Sequence, residues 1–152
     1  MLKESKEFRD VLEFHRKFGM LVHEQPVHLT RRKLQERLNF LGEELDEMRE
    51  GCDLQDLPAI ADALVDLVYV ALGTVVMLGL PWEKLWDDVQ RANMEKERGV
   101  GKRGHLVDCV KPPGWQGPRT LEILMAVGYW PAVASDVKSY RDDDVHKEVT
   151  VE

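Results

Sequence analysis

Glu43, Glu44 and Glu47 fall within five consecutive residues, Asp46 and Glu50 adjoin them, and Asp62 and Asp66 follow a short way along the chain. Like charges at helical spacing repel, so such a cluster costs stability unless a cation or a chemical role offsets it. Sets of carboxylate oxygens suit hard divalent cations, Mg2+ first with Mn2+ as a substitute, and those ions can bridge an acidic protein to phosphate oxygens. Alone, Glu-Glu-x-x-Glu describes no more than the solvated face of a helix. The second pair of acids changes that reading. Residues 60–72 are apolar nearly all round, so their helix is expected to be buried on most faces. Two carboxylates on a buried helix must protonate, pair with a cation or hold a metal. The alternative to a metal is a pair of structural salt bridges to arginines such as Arg37 or Arg91.

Farther along, Asn93 and Lys96 stand three apart, a neutral hydrogen-bonding group beside a point charge suited to phosphate oxygens. A lysine at a helix C-terminus otherwise only complements the helix dipole. Tyr69 shares a helical face with Asp62, Asp66 and Gly73. With Phe14, His15, Phe18, Trp82 and Trp86 it is one of the rings that could stack on a base, although a stripe of aromatics at helical spacing is more often core.

Four helices must position these residues. Phe8, Val11, Leu12, His15 and Phe18 recur at helical spacing before Gly19; Thr30 caps a second helix expected to stop at Gly51; a third runs from Leu57 or Pro58 to Leu78; a fourth follows Pro81 and is expected to reach Gly99. On the second helix, Leu34, Leu38, Leu41, Leu45 and Met48 form one stripe and the acids lie beside it, at roughly 100° per residue. Short connections make the helices antiparallel neighbours, so the expected fold is all-α, a four-helix bundle over 4–99. Residues 100–127 read as an extended segment around Lys111-Pro-Pro-Gly-Trp115, expected to pack on the bundle through Trp115, then a short helix over 121–127 capped by Thr120. A domain of 1–127 is thus followed by a polar tail, 128–152. Strand signals are weak, the best being the terminal Val-Thr-Val.

A chain of 152 residues, 43% apolar and 32% charged, suits one globular domain. Its net charge of -7 disfavours nucleic-acid binding, since the only dense basic stretch is Arg31, Arg32 and Lys33. The N-terminus has no apolar signal core and the longest apolar run is broken by Asp66 and glycines, so a soluble cytoplasmic protein with no membrane partner is expected. Cys52 and Cys109 lack ligand-spaced partners and are expected to be free thiols.

Glu43-Glu-Leu-Asp-Glu47, Ala61-Asp-Ala-Leu-Val-Asp-Leu-Val-Tyr69 and Arg91-Ala-Asn-Met-Glu-Lys96, in this order and spacing, resemble the all-α nucleotide pyrophosphohydrolases. That superfamily groups MazG-like proteins, dimeric dUTPases and phosphoribosyl-ATP pyrophosphohydrolases. The resemblance covers about Val11 to Leu124, and the post-bundle loop places the chain nearest the MazG-like branch. It implies a helical fold, cleavage of a nucleoside triphosphate to monophosphate and pyrophosphate, and Mg2+ held by Glu-x-x-Glu on one helix and Glu-x-x-Asp on the next. Carried over, those roles fall on Glu44, Glu47 and Asp66, and Ala63 stands where the family has its second glutamate. Asp62, one turn from Asp66, is the substitute ligand expected here. Glu43 is then free to orient or deprotonate the attacking water, and Asn93, Lys96 and Tyr69 to bind substrate. The resemblance also implies a homodimer or homotetramer. Two other functions remain open, phosphoribosyl-ATP hydrolysis and a non-catalytic acidic dimer that binds proteins. A carboxylate-bridged di-iron bundle is excluded, because no Glu-x-x-His occurs.

Overall fold

The computed structural model describes residues 4–100 and 108–131. Five helices dominate: α1 (Lys6–Lys17), α2 (Arg31–Leu54), α3 (Leu57–Leu78), α4 (Trp82–Met94) and α5 (Thr120–Met125), with one hairpin of β1 (Glu97–Gly99) and β2 (Asp108–Val110). The fold is all-α and bundle-like, as the periodicity implied.

Three of the helices start on a side-chain cap. Ser5 Oγ accepts from the Phe8 N–H, Thr30 Oγ1 from Lys33 and Asp56 Oδ1 from Ala59, each satisfying an amide that the first turn would otherwise leave unpaired. The second helix does not stop at Gly51. It continues to Leu54 and closes on Gln55, whose φ of 54° is left-handed. Gly51 instead serves helix packing, because a Cβ there would lie 3.1 Å from both Cγ1 and N of Ile60, and the bare glycine lets α3 approach. Gly79 ends α3 as expected, with φ 63°, and any Cβ would meet the Gln25 carbonyl oxygen at 2.1 Å.

α2 and α3 form the main antiparallel pair, joined by the tight turn at Gln55 and Asp56, and α1 packs on α3. Val11, Leu72 and Val76 form the buried centre, with Phe8, Leu12, Val22, Tyr69 and Trp82 packed around them. The segment 18–30 has no regular structure but is tied down by amides of His23 and Val27 donating to the carbonyls of Val76 and Leu78 at the end of α3.

Three expectations need correcting. α3 is not buried on most faces: Leu64, Val65 and Val68 are 43%, 65% and 53% exposed, because α2 and α1 cover two sides and α4 meets α3 only sparsely, chiefly through Trp82. α4 ends at Met94 rather than Gly99, and the residues beyond it pair as strand β1 with β2, a hairpin that the weak local signals concealed. Thr120 is the first residue of α5, not its cap; no side chain caps that helix.

Asp88 fastens the segment after the hairpin to α4. Its carboxylate accepts from Arg91 at 2.9 Å and from the Arg119 side chain at 2.8 and 3.1 Å, while Arg91 also donates to the Gly117 carbonyl. These bonds hold the Asp88 carboxyl well below the usual range, the Arg91 hydrogen bond first among them. Of the expected tail, residues 128–131 are described, and the Tyr129 hydroxyl lies 3.2 Å from His28 Nε2. The rest, 132–152, lies outside the described residues, as do residues 101–107. Both cysteines are free thiols.

Candidate active site

The register of the α2–α3 pair decides where the acids stand. Gly51 abuts Ile60 at one end. At the other, Arg37 donates to the Val70 carbonyl at 2.8 Å and to Thr74 Oγ1 at 3.1 Å. Between these anchors, Glu44 on α2 falls opposite Asp66 on α3, with Glu47 and Glu43 on its own helix and Asp62 one turn from Asp66. Glu44 is half-buried; Glu43, Glu47, Asp62 and Asp66 are exposed. The two aspartates were expected to project from a helix in the core. They reach solvent instead, at the edge of the α2–α3 seam.

Glu44 Oε2 is buried and has no hydrogen-bond partner. Burial pushes the Glu44 carboxyl up, and the charges of Glu47, Asp66, Glu43 and Asp62 push it further in that order. Glu44 thus senses four further acids, and none of the five forms an ion pair with a described residue. The salt-bridge alternative fails on its own partners: Arg37 is taken by Thr74 and Val70, and Arg91 by Asp88, Glu95 and Gly117.

Oxygen donors alone, with one carboxylate oxygen buried and unpartnered, suit a hard divalent cation. Among the described residues no three acidic, histidine or cysteine side chains converge into a finished cage. Mutual repulsion is reason enough, since carboxylates lacking a counter-charge spread apart. Ala63 is 2% exposed and faces α2. Asp62 lies roughly 100° round the helix from it, toward solvent. Of the four neighbours, Asp62 weighs least on Glu44.

The aromatic candidates divide. Tyr69, just beyond Asp66, packs edge-on against Phe14, ring centroids 5.6 Å apart, and Phe14 in turn against Phe18 at 4.7 Å. Burial, and to a lesser degree Asp10, push the Tyr69 hydroxyl up. Phe14 and Phe18 lie at the C-terminal end of α1 and are 38% and 59% exposed; Trp82 belongs to the core, and Trp86 packs on it at the far end of α3. His15 is buried, its Nδ1 3.0 Å from the Leu21 carbonyl.

Among the described residues no hydrogen bond or ion pair joins Asn93 or Lys96 to these acids. Lys96 Nζ donates to Asn93 Oδ1 at 2.8 Å, and both stand at the end of α4 beside Trp115. A cavity of about 360 Å3 between α1 and the 22–26 segment lies near Gly79, at the opposite end of α3 from Asp62.

The family model for phosphoribosyl-ATP pyrophosphohydrolase matches residues 11–93, from the middle of α1 to the end of α4. The chain belongs to the phosphoribosyl-ATP pyrophosphohydrolase family. That family lies within the all-α nucleoside triphosphate pyrophosphohydrolases, so the broad resemblance read from the motifs holds. No curated protein matches the chain. Membership makes the protein a pyrophosphohydrolase type of hydrolase, acting on phosphoanhydride bonds, in a family that typically uses divalent metal ions. The match spans the acids on α2 and α3 together with Asn93, and stops short of Lys96 and Trp115.

Sequence reasoning missed two things here. Arg37, read from the sequence only as a salt-bridge partner for the aspartates, is buried with no carboxylate partner and carries a guanidinium 5.3 Å from the Phe40 ring, one turn before Glu44. Nothing in its local sequence distinguished it from the exposed Arg31 and Arg32. Trp115 was read as packing its segment on the bundle and does so through the Ala92 carbonyl, but its grouping with Lys111 and Lys96 was not read, since it joins distant segments.

Proposed function

We propose that the protein hydrolyses a deoxynucleoside or nucleoside triphosphate to the monophosphate and pyrophosphate, with Mg2+ as its metal and Mn2+ as a substitute. The observation that carries this reading is Glu44 Oε2, buried and unpartnered among four further acids, none of which is paired with a basic side chain among the described residues. Glu44, Glu47 and Asp66 are the residues that would hold the metal, and Asp62 completes the set from the solvent side in place of the alanine at 63. When bound, the metal supplies neutralisation of phosphate charge and a lowered pKa for coordinated water. Glu43, exposed and adjacent, is the group to orient or deprotonate the attacking water. Tyr69, with Phe14 and Phe18 beside it, offers faces for the base. Asn93 and Lys96 would hold the phosphate chain.

A second subunit is part of this proposal. The uncovered face of α3 supports a homodimer or homotetramer: Leu64, Val65 and Val68 line an apolar groove of about 450 Å3 with Tyr69 and Leu72.

A second substrate has a specific observation in its favour, because the matching family model is that of phosphoribosyl-ATP pyrophosphohydrolase. The same acids would serve either nucleotide. Product analysis by anion exchange separates them: each dNTP, each NTP and phosphoribosyl-ATP are incubated with and without Mg2+, beside Asp66→Asn. Monophosphate plus pyrophosphate from a triphosphate, requiring both metal and Asp66, is the expected result. Turnover of phosphoribosyl-ATP alone would select the second substrate, and diphosphate plus phosphate would overturn the bond assignment.

A further inference from the structure

The hairpin after α4 pairs Glu97 with Val110, Arg98 with Cys109 and Gly99 with Asp108. Lys96 immediately precedes β1 and Lys111 immediately follows β2, so the two flank the same end of the strand pair. The chain gathers two lysines there despite its net charge of -7. Neither forms an ion pair with a described residue, and the one side-chain hydrogen bond Lys96 makes among them is to the neutral amide oxygen of Asn93.

Between them stands Trp115. Its ring centroid is 4.4 Å from Lys111 Nζ and 5.8 Å from Lys96 Nζ, so the indole contacts both ammonium groups. The indole itself is fixed. Its Nε1–H donates to the carbonyl of buried Ala92 at 2.7 Å, its backbone N–H closes a turn on the Pro112 carbonyl, and the Asp88–Arg119 bonds hold the following residues to α4. Since Asn93 Oδ1 is occupied by Lys96, its amide NH2 remains as a third donor of the group. Two ammoniums and an amide around a fixed indole suit an anion with several oxygens.

We propose that Lys96, Lys111, Asn93 and Trp115 form an anion site for a diphosphate group, whether free pyrophosphate or the phosphate chain of a nucleotide. This deepens the role given above to Asn93 and Lys96 and rests on that reading only for its use in catalysis; binding itself needs neither the acids nor a metal.

The test therefore uses the full chain in EDTA, with inorganic pyrophosphate as the probe, followed by calorimetry and by tryptophan fluorescence. Saturable binding is expected, with a fluorescence change absent from Trp115→Phe. Lys111→Gln should weaken the affinity about tenfold, as loss of one charge-assisted contact implies. Lys111→Arg should restore it, and Lys84→Gln, an equal charge change elsewhere on α4, should leave it intact. ATP displacing the pyrophosphate assigns the site to nucleotide phosphates; failure to displace it assigns the site to the free anion. Equal affinity for orthophosphate, equal loss in Lys84→Gln, or no saturation would overturn the proposal. If triphosphate hydrolysis fails while this binding persists, only the catalytic reading falls.

Discussion

Glu44 on α2 and Asp66 on α3 face one another across the α2–α3 seam, and the charge of Asp66 adds to burial in raising the Glu44 carboxyl. No described basic side chain is paired with either. The arrangement is held by packing elsewhere, chiefly Gly51 against Ile60 and Arg37 against Thr74 and Val70, so the fold imposes the repulsion on the two acids.

Glu44→Gln should stabilise the metal-free protein, because it removes a charge whose burial is unfavourable. A rise in Tm of about 2–4 °C in EDTA is expected for a chain of this size. The same variant should lose the Tm increase that Mg2+ gives the wild type. Scanning calorimetry with and without the metal checks both.

The pH dependence has a definite sign. An acid whose folded pKa lies above its unfolded value, near 4.5 for Glu, lowers stability at neutral pH, and that deficit shrinks as pH falls through the raised pKa. Asp88 is the opposite case: its depressed pKa contributes stability that is fully present above the unfolded value of 3.8 and lost only in stronger acid. Metal-free protein should therefore melt higher at about pH 5 than at about pH 7.5, before acid unfolding begins. In Glu44→Gln most of that rise should vanish.

Ala63→Glu places a carboxylate where α3 faces the α2 acids. Since Ala63 is 2% exposed, the metal-free variant should lose about 1–3 kcal/mol of stability in urea titrations. Magnesium should recover more of it than in the wild type. A larger loss in Mg2+ than in EDTA would show that position 63 does not face the metal-binding acids.

Gly79→Ala and Gly114→Ala separate backbone strain from collision. Both glycines have positive φ, 63° and 79°, but only at Gly79 would a Cβ strike backbone, the Gln25 carbonyl, whereas Gly114 opens on empty space. Gly114→Ala should cost about 1 kcal/mol, and Gly79→Ala about 3 kcal/mol or more. Chemical denaturation of the two variants side by side measures the difference.

Val65→Asp puts a charge on the 65% exposed residue of the α3 face. If a second copy covers that face, size-exclusion chromatography with light scattering should show dissociation to the monomer with helical content unchanged by circular dichroism, since a charge within an apolar interface costs roughly 2 kcal/mol or more. An unchanged mass would remove this face from the interface.

The sequence by itself determined the four long helices, the cap at Thr30, the stop at Gly79 and the family, because periodic apolar residues, capping side chains and motif spacing are local properties written along the chain. The acids of the candidate site were legible for the same reason. Tertiary structure alone decided their environment. A helix as apolar as α3 reads as buried, but burial depends on how many neighbours a helix acquires, and α4 leaves one side of it open, so Asp62 and Asp66 reach solvent while Glu44 becomes the strained member. Gly51 carried the same local signal as Gly79 and proved to be a point of close helix approach, a distinction that exists only once Ile60 is opposite it. The partnership of Lys96 with Lys111 was likewise invisible, since strand register is a relation between two distant segments and neither contains it.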